Sequence, residues 1–167
     1  MSKPLETVMR DLLDRARAVR EQAYAPYSAF KVGAALLDEQ GRVHAGCNIE
    51  NAAYPQGMCA EAAALAHLVA AGGQRVLAAV VVGSAPQPVT PCGGCRQRLR
   101  EFAADDCPVW SADLHAFTAR HTLGELLPAS FGPEHLNAPR AGPARPAPRG
   151  GSGRVAKPTL LEGKEAR

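Results

Sequence analysis

Apolar residues recur at helical spacing in the first part of the chain. Over residues 4–22 they fall three or four positions apart, with Asp, Arg and Glu between them: Leu5, Val8, Met9, Leu12, Leu13, Ala16 and Val19. This spacing places the apolar side chains on one face of a helix. The pattern therefore predicts an amphipathic helix over residues 4–22, whose apolar face packs on a core.

The hydrophobic pattern then takes the period of β-strands. Residues 30–37 are mostly apolar, turn-forming residues follow at 38–41, and apolar residues alternate over residues 43–49. Two such runs joined by a turn predict a β-hairpin. Residues 76–82 are continuously apolar with several β-branched members, which is typical of a strand buried on both faces.

The remaining patterned segments, up to residue 128, predict helices and strands in alternation. Residues 59–71 are rich in Ala and Leu and end at a glycine pair, which indicates a helix with a glycine stop. We expect a helix over residues 92–102, a short strand over 108–111, and a strand or short helix over 122–128. This order of elements predicts an α/β fold.

Charge and composition divide the chain into a body and a tail. The 167 residues carry a net charge of +3, but residues 138–167 hold seven Arg or Lys and two Glu, which leaves residues 1–137 at −2. The tail is rich in Pro, Gly, Arg and Ala, a composition that cannot bury enough apolar surface to order itself. We therefore expect one folded domain over residues 1–137 and a disordered basic tail over 138–167.

The same features limit the classes of partner. A basic tail can contact nucleic acid, but the tail has no aromatic residues to stack on bases, so we expect a solvated tail and keep nucleic-acid binding or editing as an alternative. No apolar run approaches the ~20 residues that span a bilayer, and no secretory segment opens the chain. We expect a cytoplasmic protein with reduced thiols and no membrane partner.

Three cysteines have the spacing of metal ligands. Cys92 and Cys95 form a C-x-x-C motif at a predicted helix start, and Cys59 begins the preceding helix. Three thiolates would leave a fourth zinc position for water, which distinguishes a catalytic zinc site from a structural one. C-x-x-C alone also occurs in redox motifs and zinc ribbons. A ribbon normally needs a second cysteine pair, however, and a redox motif does not explain the C-A-E run at residues 59–61.

Glu61 follows Cys59 by two residues, so its carboxyl can lie beside the metal without binding it. Zinc lowers the pKa of its water from ~15.7 towards ~7. A nearby carboxyl can then carry protons from that water to a substrate. The same combination of residues occurs in zinc nucleobase deaminases. We therefore predict a zinc cofactor held by Cys59, Cys92 and Cys95, with Glu61 as the catalytic residue.

Five sequence runs together resemble the homotetrameric, all-cysteine cytidine deaminases. In chain order they are YSAFKVGAAL at 27–36, GCNIENA at 46–52, CAE at 59–61, PCGGCRQ at 91–97 and LLPASFGP at 126–133. The resemblance implies a three-layer α/β/α sandwich around a five-stranded mixed sheet. It also implies a homotetramer that hydrolyses cytidine and deoxycytidine to uridine and deoxyuridine with release of ammonia, in pyrimidine salvage.

The resemblance assigns roles to residues that the pattern alone leaves open. Asn48 and Glu50 end a predicted strand, where polar side chains are also common in ordinary turns. By resemblance they would bind the ribose hydroxyls of a nucleoside. Phe30 would line the pyrimidine pocket, and the backbone of Ala60 would contact the base.

Two further positions match residues that reach the site of a neighbouring subunit, Tyr54 and Phe131. Ala62 departs from the family, because many members carry an arginine there that donates hydrogen bonds to the zinc thiolates. Arg96, next to Cys95, is the nearest cation in sequence. We predict that it offsets thiolate charge, with structural packing as the alternative. Blasticidin-type deaminases also lack that arginine, so a modified or antibiotic cytosine nucleoside is an alternative substrate.

Overall fold

The structure, a computed structural model, describes residues 5–136, so the predicted tail at 138–167 lies outside the described residues. The helices are α1 (Leu5–Arg20), α2 (Ala60–Ala70), α3 (Gly93–Arg100) and α4 (Leu123–Leu126). The strands are β1 (Val32–Asp38), β2 (Val43–Cys47), β3 (Val76–Gly83), β4 (Pro108–Ala112) and β5 (Phe117–Thr122). Two short 3₁₀ helices cover Tyr54–Gln56 and Pro133–His135.

The five strands form one mixed sheet in the order β2-β1-β3-β4-β5. Strand β1 pairs antiparallel with both β2 and β3, and β4 pairs antiparallel with β5. The β3–β4 pair is parallel. A parallel pair needs a crossover, and α3 lies in the connection between these two strands. The mixed five-stranded sheet predicted by the family resemblance is confirmed.

Helices cover both faces of this sheet, which gives three layers. Helix α1 packs on one face through Leu12 and Ala16, against Val80 and Val82 of β3. On the opposite face, side chains of α2 and α3 pack against β1, β3 and β4. Alternate residues of β3 therefore enter separate cores, as expected for a strand buried on both faces. Leu77 is the exception, since its side chain is 39% exposed.

Two glycines allow the helices to approach the sheet closely. A Cβ at Gly33 of β1 would lie 2.0 Å from the carbonyl oxygen of Ala16 in α1. A Cβ at Gly46 of β2 would lie 2.3 Å from the backbone nitrogen of Ala64 in α2. Any side chain at either position would push a helix off the sheet. The glycine in β2 thus helps to fix α2, whose first residues carry part of the candidate site.

Asp38 forms a buried polar centre at the β1–β2 turn. Its fully buried carboxylate accepts hydrogen bonds from His44 Nε2 at 2.8 Å and Arg42 Nε at 2.7 Å. The backbone N–H groups of Gln40 and Arg42 donate at 2.9 Å. Burial alone would raise the pKa of Asp38, but these donors outweigh it and hold the pKa below its ordinary value. Arg42 also donates to the carbonyl of Ala71, which ties the hairpin to the end of α2.

Most predicted elements are present with ends shifted by a few residues. The sequence pattern did not predict strand β5. Phe117–Thr122 mixes apolar residues with Arg and His and is only partly buried, so it lacks a clear strand period. The segment 122–128, predicted as a strand or short helix, is divided between two elements. Thr122 is the last residue of β5 and the N-cap of α4, and it forms a capping box with Glu125. Among residues 5–136, no helix is long and apolar enough to cross a membrane.

Candidate functional site

The predicted site residues come from segments that leave the sheet at the same end of its strands. Gly33 pairs with Cys47, and Val32 pairs with Gly83, so the start of β1 and the ends of β2 and β3 meet there. Asn48 follows β2 at this end, and the segment after β3 leads to α3. Residues more than fifty positions apart in sequence are thereby brought to one end of the sheet.

Cys59, Cys92 and Cys95 meet at the beginnings of two helices. Cys59 is the N-cap of α2 and Cys92 the N-cap of α3, and neither thiol caps its own helix. Their sulfur atoms lie 3.8 Å apart. All three sulfur atoms lie within 4.8 Å of one another, and Cys95 is fully buried. The two helix N-termini face the cluster with their backbone N–H groups, which favours negative charge there.

The chemistry of this cluster fits zinc. Burial raises the pKa of Cys59 and Cys95, and neighbouring negative groups raise it further. Three thiolates so close together therefore need a cation, and zinc prefers sulfur ligands of this kind. Burial would also raise the pKa of Cys92, but hydrogen bonds from Cys95 and Cys59 lower it. Three protein ligands leave room for a fourth, non-protein ligand on the metal.

Glu61 lies in the first turn of α2, directly beside the cysteine cluster. Its side chain is almost fully buried, and its Oε2 accepts a hydrogen bond from Cys95 Sγ at 3.5 Å. Burial raises the pKa of Glu61, opposed by hydrogen bonds from its own backbone N–H and Cys95 and by the charge of Arg98. A raised pKa makes the carboxylate a stronger proton acceptor, which favours a role as a general acid–base group.

Arg96 and Arg98 are the two cations of α3 nearest to the cluster in sequence, and the charge of Arg98 acts to lower the pKa of Glu61. The guanidinium of Arg96 donates to the carbonyls of Pro91 and Leu126 at 2.7 Å and to Thr90 Oγ1 at 3.0 Å. It therefore packs structurally, which is the alternative that the sequence left open, and none of these three bonds goes to a thiol. Arg98 lies one turn after Cys95, and its Nη1 is 3.1 Å from where a Cβ of residue 94 would be.

A cavity of about 520 Å³ opens beside Cys59. Its volume falls in the range of small-molecule sites. Three other predicted site residues line it, Asn48, Glu50 and Tyr54, together with Tyr27, Ser28, Ile49, Asn51, Gly57 and Met58. A cavity wall thus joins the cysteine cluster to the polar end of β2.

Asn48 and Glu50 hold the segment before β1. Asn48 Nδ2 donates to the carbonyl of Phe30 at 2.9 Å, and Asn48 Oδ1 accepts from Val32 N at 2.8 Å. Glu50 Oε2 accepts from Tyr27 N at 2.8 Å. Each side chain retains hydrogen-bonding capacity, because an amide and a carboxylate offer more than these contacts use.

The other predicted contacts lie outside the lining of this cavity. The side chain of Phe30 is 39% exposed and follows the polar segment that Asn48 and Glu50 hold. Ala60 is buried at the first position of α2, where backbone N–H groups have no partner within the helix. The N–H of Ala60, next to Cys59, therefore has no hydrogen-bond partner within the helix.

Tyr54 and Phe131, the two residues predicted to reach a neighbouring subunit, both have exposed aromatic rings. Tyr54 is 78% exposed, and its ring edge meets Tyr27 with centroids 6.2 Å apart. Phe131 is 57% exposed, and its carbonyl accepts a hydrogen bond from Gln97 of α3. Neither ring packs into the core of the described part of the chain, so both are available to contact another surface.

Two residues of the site were missed by the sequence reasoning. Ser28 binds Glu50, although its position two residues before Phe30 carried no signal beyond the family motif. Arg98 was passed over in favour of the cation nearest to Cys95 in sequence. Its helical spacing was the available signal, since Cys95 and Arg98 are three residues apart and share one face of α3.

Comparisons with known proteins agree with this geometry. The profile of the family described as "Cytidine and deoxycytidylate deaminase zinc-binding region" matches residues 6–111. The chain is 44% identical to the cytidine deaminase of Sporosarcina psychrophila over 126 residues, which are 75% of this chain and 93% of that protein. It is 43% identical over 114 residues to the cytidine deaminase of Mycobacterium tuberculosis H37Rv, covering 68% of this chain and 82% of that protein.

Solved structures give the same result for the fold. The crystal structure of cytidine deaminase from Burkholderia pseudomallei superposes with a TM-score of 0.69 at 43% identity, covering 73% of this chain and 98% of that one. That of cytidine deaminase from M. tuberculosis gives 0.64 at 40% identity, covering 74% and 97%. With three thiols gathered at two helix starts and a buried glutamate beside them, the chain belongs to the cytidine and deoxycytidylate deaminase zinc-binding family.

Proposed function

We propose that this protein is a zinc-dependent hydrolase that converts cytidine and deoxycytidine to uridine and deoxyuridine with release of ammonia. The observation that carries the proposal is the position of Glu61, a buried carboxyl 3.5 Å from one sulfur of a three-cysteine cluster. The relatives named cytidine deaminase, which match most of the folded part of the chain, support the same reaction.

Cys59, Cys92 and Cys95 would hold the zinc, which when bound supplies a Lewis acid that makes water acidic near neutral pH. Glu61 then takes a proton from the attacking water and delivers it to ring N3 as C4 is attacked. It then takes the proton of the hydroxyl formed at C4 and donates it to the amine, so that the bond from C4 to the amine nitrogen breaks and ammonia leaves. Burial supports this role, because it raises the pKa of Glu61 and so makes the carboxylate a stronger base.

The sugar and base of the nucleoside would be held by residues around the cavity. Asn48 and Glu50 bind the ribose hydroxyls with the capacity that their contacts to the preceding segment leave free. Phe30 lines the pyrimidine pocket, and the backbone of Ala60 contacts the base. Neutral nucleoside recognition by an amide, a carboxylate and an aromatic ring is consistent with a body that carries little net charge.

The active form would be a homotetramer in the cytoplasm, working in pyrimidine salvage. Exposure of Tyr54 and Phe131 supports the oligomer, because large exposed aromatic side chains are typical of interaction surfaces. Each would then reach the site of a neighbouring subunit. We further propose that residues 1–137 form the catalytic domain and that the basic tail at 138–167 is dispensable for nucleoside turnover.

A substrate panel with ammonia release tests the proposal. We expect cytidine and deoxycytidine to be turned over by the full chain and equally by residues 1–137. Nucleosides modified at C5 or N4 should react no faster than cytidine, and a cytosine-containing single-stranded oligonucleotide should not react. Faster turnover of a modified nucleoside would replace the proposed substrate, and turnover of the oligonucleotide only with the tail present would indicate an editing enzyme.

Metal analysis accompanies the panel. Cys92→Ser should lose both zinc and activity, whereas Cys47→Ser should keep one zinc per chain, because Cys47 lies outside the cluster. Full activity in a metal-free preparation of the wild type would overturn the proposed function.

A further inference from the structure

The segment between α1 and β1 has a backbone conformation that must be held in place. Ala29 has φ of 56°, in the left-handed region that residues with a Cβ rarely adopt. Its flanking residues Ser28 and Phe30 are exposed, so core packing does not impose this conformation. Hydrogen bonds to this segment must therefore hold it.

The N–H of Ala29 itself donates to the carbonyl of Ala25 at 3.0 Å, and Glu50 accepts three further hydrogen bonds from the segment. Its Oε2 accepts from the backbone N–H groups of Tyr27 at 2.8 Å and Ser28 at 3.3 Å. Its Oε1 accepts from the hydroxyl of Ser28. The Ser28 Oγ in turn accepts from the backbone N–H of Phe30 at 3.0 Å. One hydroxyl thus links the carboxylate of Glu50 to the backbone of Phe30.

The two oxygens of Glu50 are held differently. Two backbone N–H groups fix Oε2, whereas Ser28 Oγ is the hydrogen-bond donor to Oε1 among the described residues. Oε1 accepts one bond there, so it retains a free lone pair, and both residues line the cavity. Without the hydroxyl, the carboxylate would keep its anchor at Oε2 but lose the contact that sets the direction of Oε1.

We propose that Ser28 is a positioning residue for nucleoside binding, and that it acts by orienting the carboxylate of Glu50 towards the sugar hydroxyls. This inference rests on the proposed function, since it takes Glu50 as a residue that binds the sugar. A second polar clamp, from Asn48 to Phe30 and Val32, holds the other side of the segment. Loss of the Ser28 hydroxyl should therefore alter sugar binding without unfolding the segment.

The test compares Ser28→Ala with Ser28→Thr in the zinc-loaded, full-length enzyme. Ser28→Ala should raise KM for cytidine about threefold to tenfold, as expected for one hydrogen bond, with kcat changed less than twofold. Such a split indicates lost binding that is equal in the ground and transition states. Ser28→Thr retains a hydroxyl and should restore most of the affinity.

A nucleoside that lacks the 2′ and 3′ hydroxyls of the sugar separates the two roles of Ser28. If Ser28 acts through Glu50, Ser28→Ala should leave the inhibition constant of 2′,3′-dideoxyuridine within twofold of wild type while weakening uridine. An equal loss for both inhibitors would assign the effect to the position of Phe30 and overturn the proposal. So would a KM for cytidine within twofold of wild type.

Ala29→Gly provides the control for backbone strain. It relieves the left-handed conformation and keeps every hydrogen bond of Ser28, so its KM should match wild type. Equal zinc content and circular dichroism should accompany all three variants. A wild-type enzyme that releases no ammonia from cytidine would overturn the proposed function and this inference together, whereas an active wild type with an unaffected Ser28→Ala variant overturns only the role of Ser28.

Discussion

The thiol of Cys95 and the carboxyl of Glu61 share a hydrogen bond, with Sγ and Oε2 3.5 Å apart. A thiol gives up its proton when it binds a metal, so this donor is lost on zinc binding. The buried carboxyl then faces a thiolate, and both burial and the new negative charge favour its protonated form. Metal binding at the cysteines and proton binding at Glu61 are therefore coupled by direct contact.

We predict that Glu61→Gln separates metal binding from turnover. The amide has the shape of the protonated carboxyl and offers an N–H donor to the thiolates, so zinc affinity should be close to that of the wild type. Turnover should fall by a factor of ~10² or more, since a positioned proton carrier commonly contributes ~10²–10⁴-fold. Zinc competition with a chromogenic chelator and ammonia release measure the two effects.

The matched control is Glu101→Gln, which changes an exposed glutamate just after α3. It should leave zinc affinity and turnover unaltered. Turnover of Glu61→Gln within tenfold of wild type would remove Glu61 from the mechanism, and loss of zinc by that variant would make it a structural part of the metal site.

Arg98→Gln should weaken zinc binding about twofold to fivefold at low salt. Three thiolates and Zn²⁺ carry a net charge of −1, which a nearby cation stabilises by Coulomb attraction. Because Arg98 is exposed, the effect should diminish in high salt. The measurement is the apparent zinc dissociation constant at fixed pH and two salt concentrations. An unchanged constant at both concentrations would show that the helix ends stabilise the centre without Arg98.

Arg96→Ala should instead lower stability, since three hydrogen bonds from its guanidinium hold Thr90, Pro91 and Leu126. We expect a loss of about 1.5–3 kcal/mol in the free energy of unfolding of the zinc-free protein, because the two carbonyls lose a charged donor. Chemical denaturation measures it. Stability equal to wild type would contradict the structural role of Arg96.

Tyr54→Ala should disrupt the proposed tetramer. Its ring is 78% exposed in the single chain, so its removal costs little inside one subunit, whereas an interface would lose a large buried aromatic side chain. Light scattering over a dilution series should show smaller species with lower activity. Leu114→Ala is the control, because Leu114 is exposed on the β4–β5 turn. A wild-type monomer with full activity would contradict the proposal.

Asp38→Asn should lower stability at neutral pH and remove part of the acid sensitivity. The pKa of Asp38 is depressed in the folded state, so its contribution is fully present above its unfolded pKa of ~3.9 and is lost as pH falls through the lower folded value. We expect a loss of about 1.5–3 kcal/mol at pH 7, from weaker bonds to Arg42 and His44.

Urea denaturation at pH 7 and between pH 4 and pH 2.5 measures this difference. The gap between wild type and Asp38→Asn should narrow below about pH 4, where the wild-type carboxylate takes up a proton. Asp14→Asn, an exposed position on α1, should behave like wild type throughout. A gap that is constant with pH would mean that the charge of Asp38 contributes nothing to stability.

Local patterns were sufficient for the elements with strong periodicity. The apolar stripe of α1 and the β-branched run of β3 each predict which side chains are buried, because the periods of helices and strands are properties of the backbone. Strand β5 has a weaker pattern, since an edge strand needs only one partner and tolerates Arg120 on its exposed side. The sheet, rather than its own sequence, gives it strand conformation.

For the site, the sequence alone predicted which side chains carry the chemistry. C-x-x-C and the C-A-E run indicate a zinc-binding deaminase motif, because zinc coordination and proton transfer need particular side chains, and the family resemblance adds the polar residues after β2. Only the tertiary structure decided how they meet: it brings Cys59 to Cys92, bonds Arg96 to the carbonyl of Leu126 and joins Ser28 to Glu50. Sequence spacing fixes neighbours along one element, whereas contacts between elements depend on how the helices and strands pack across the sheet.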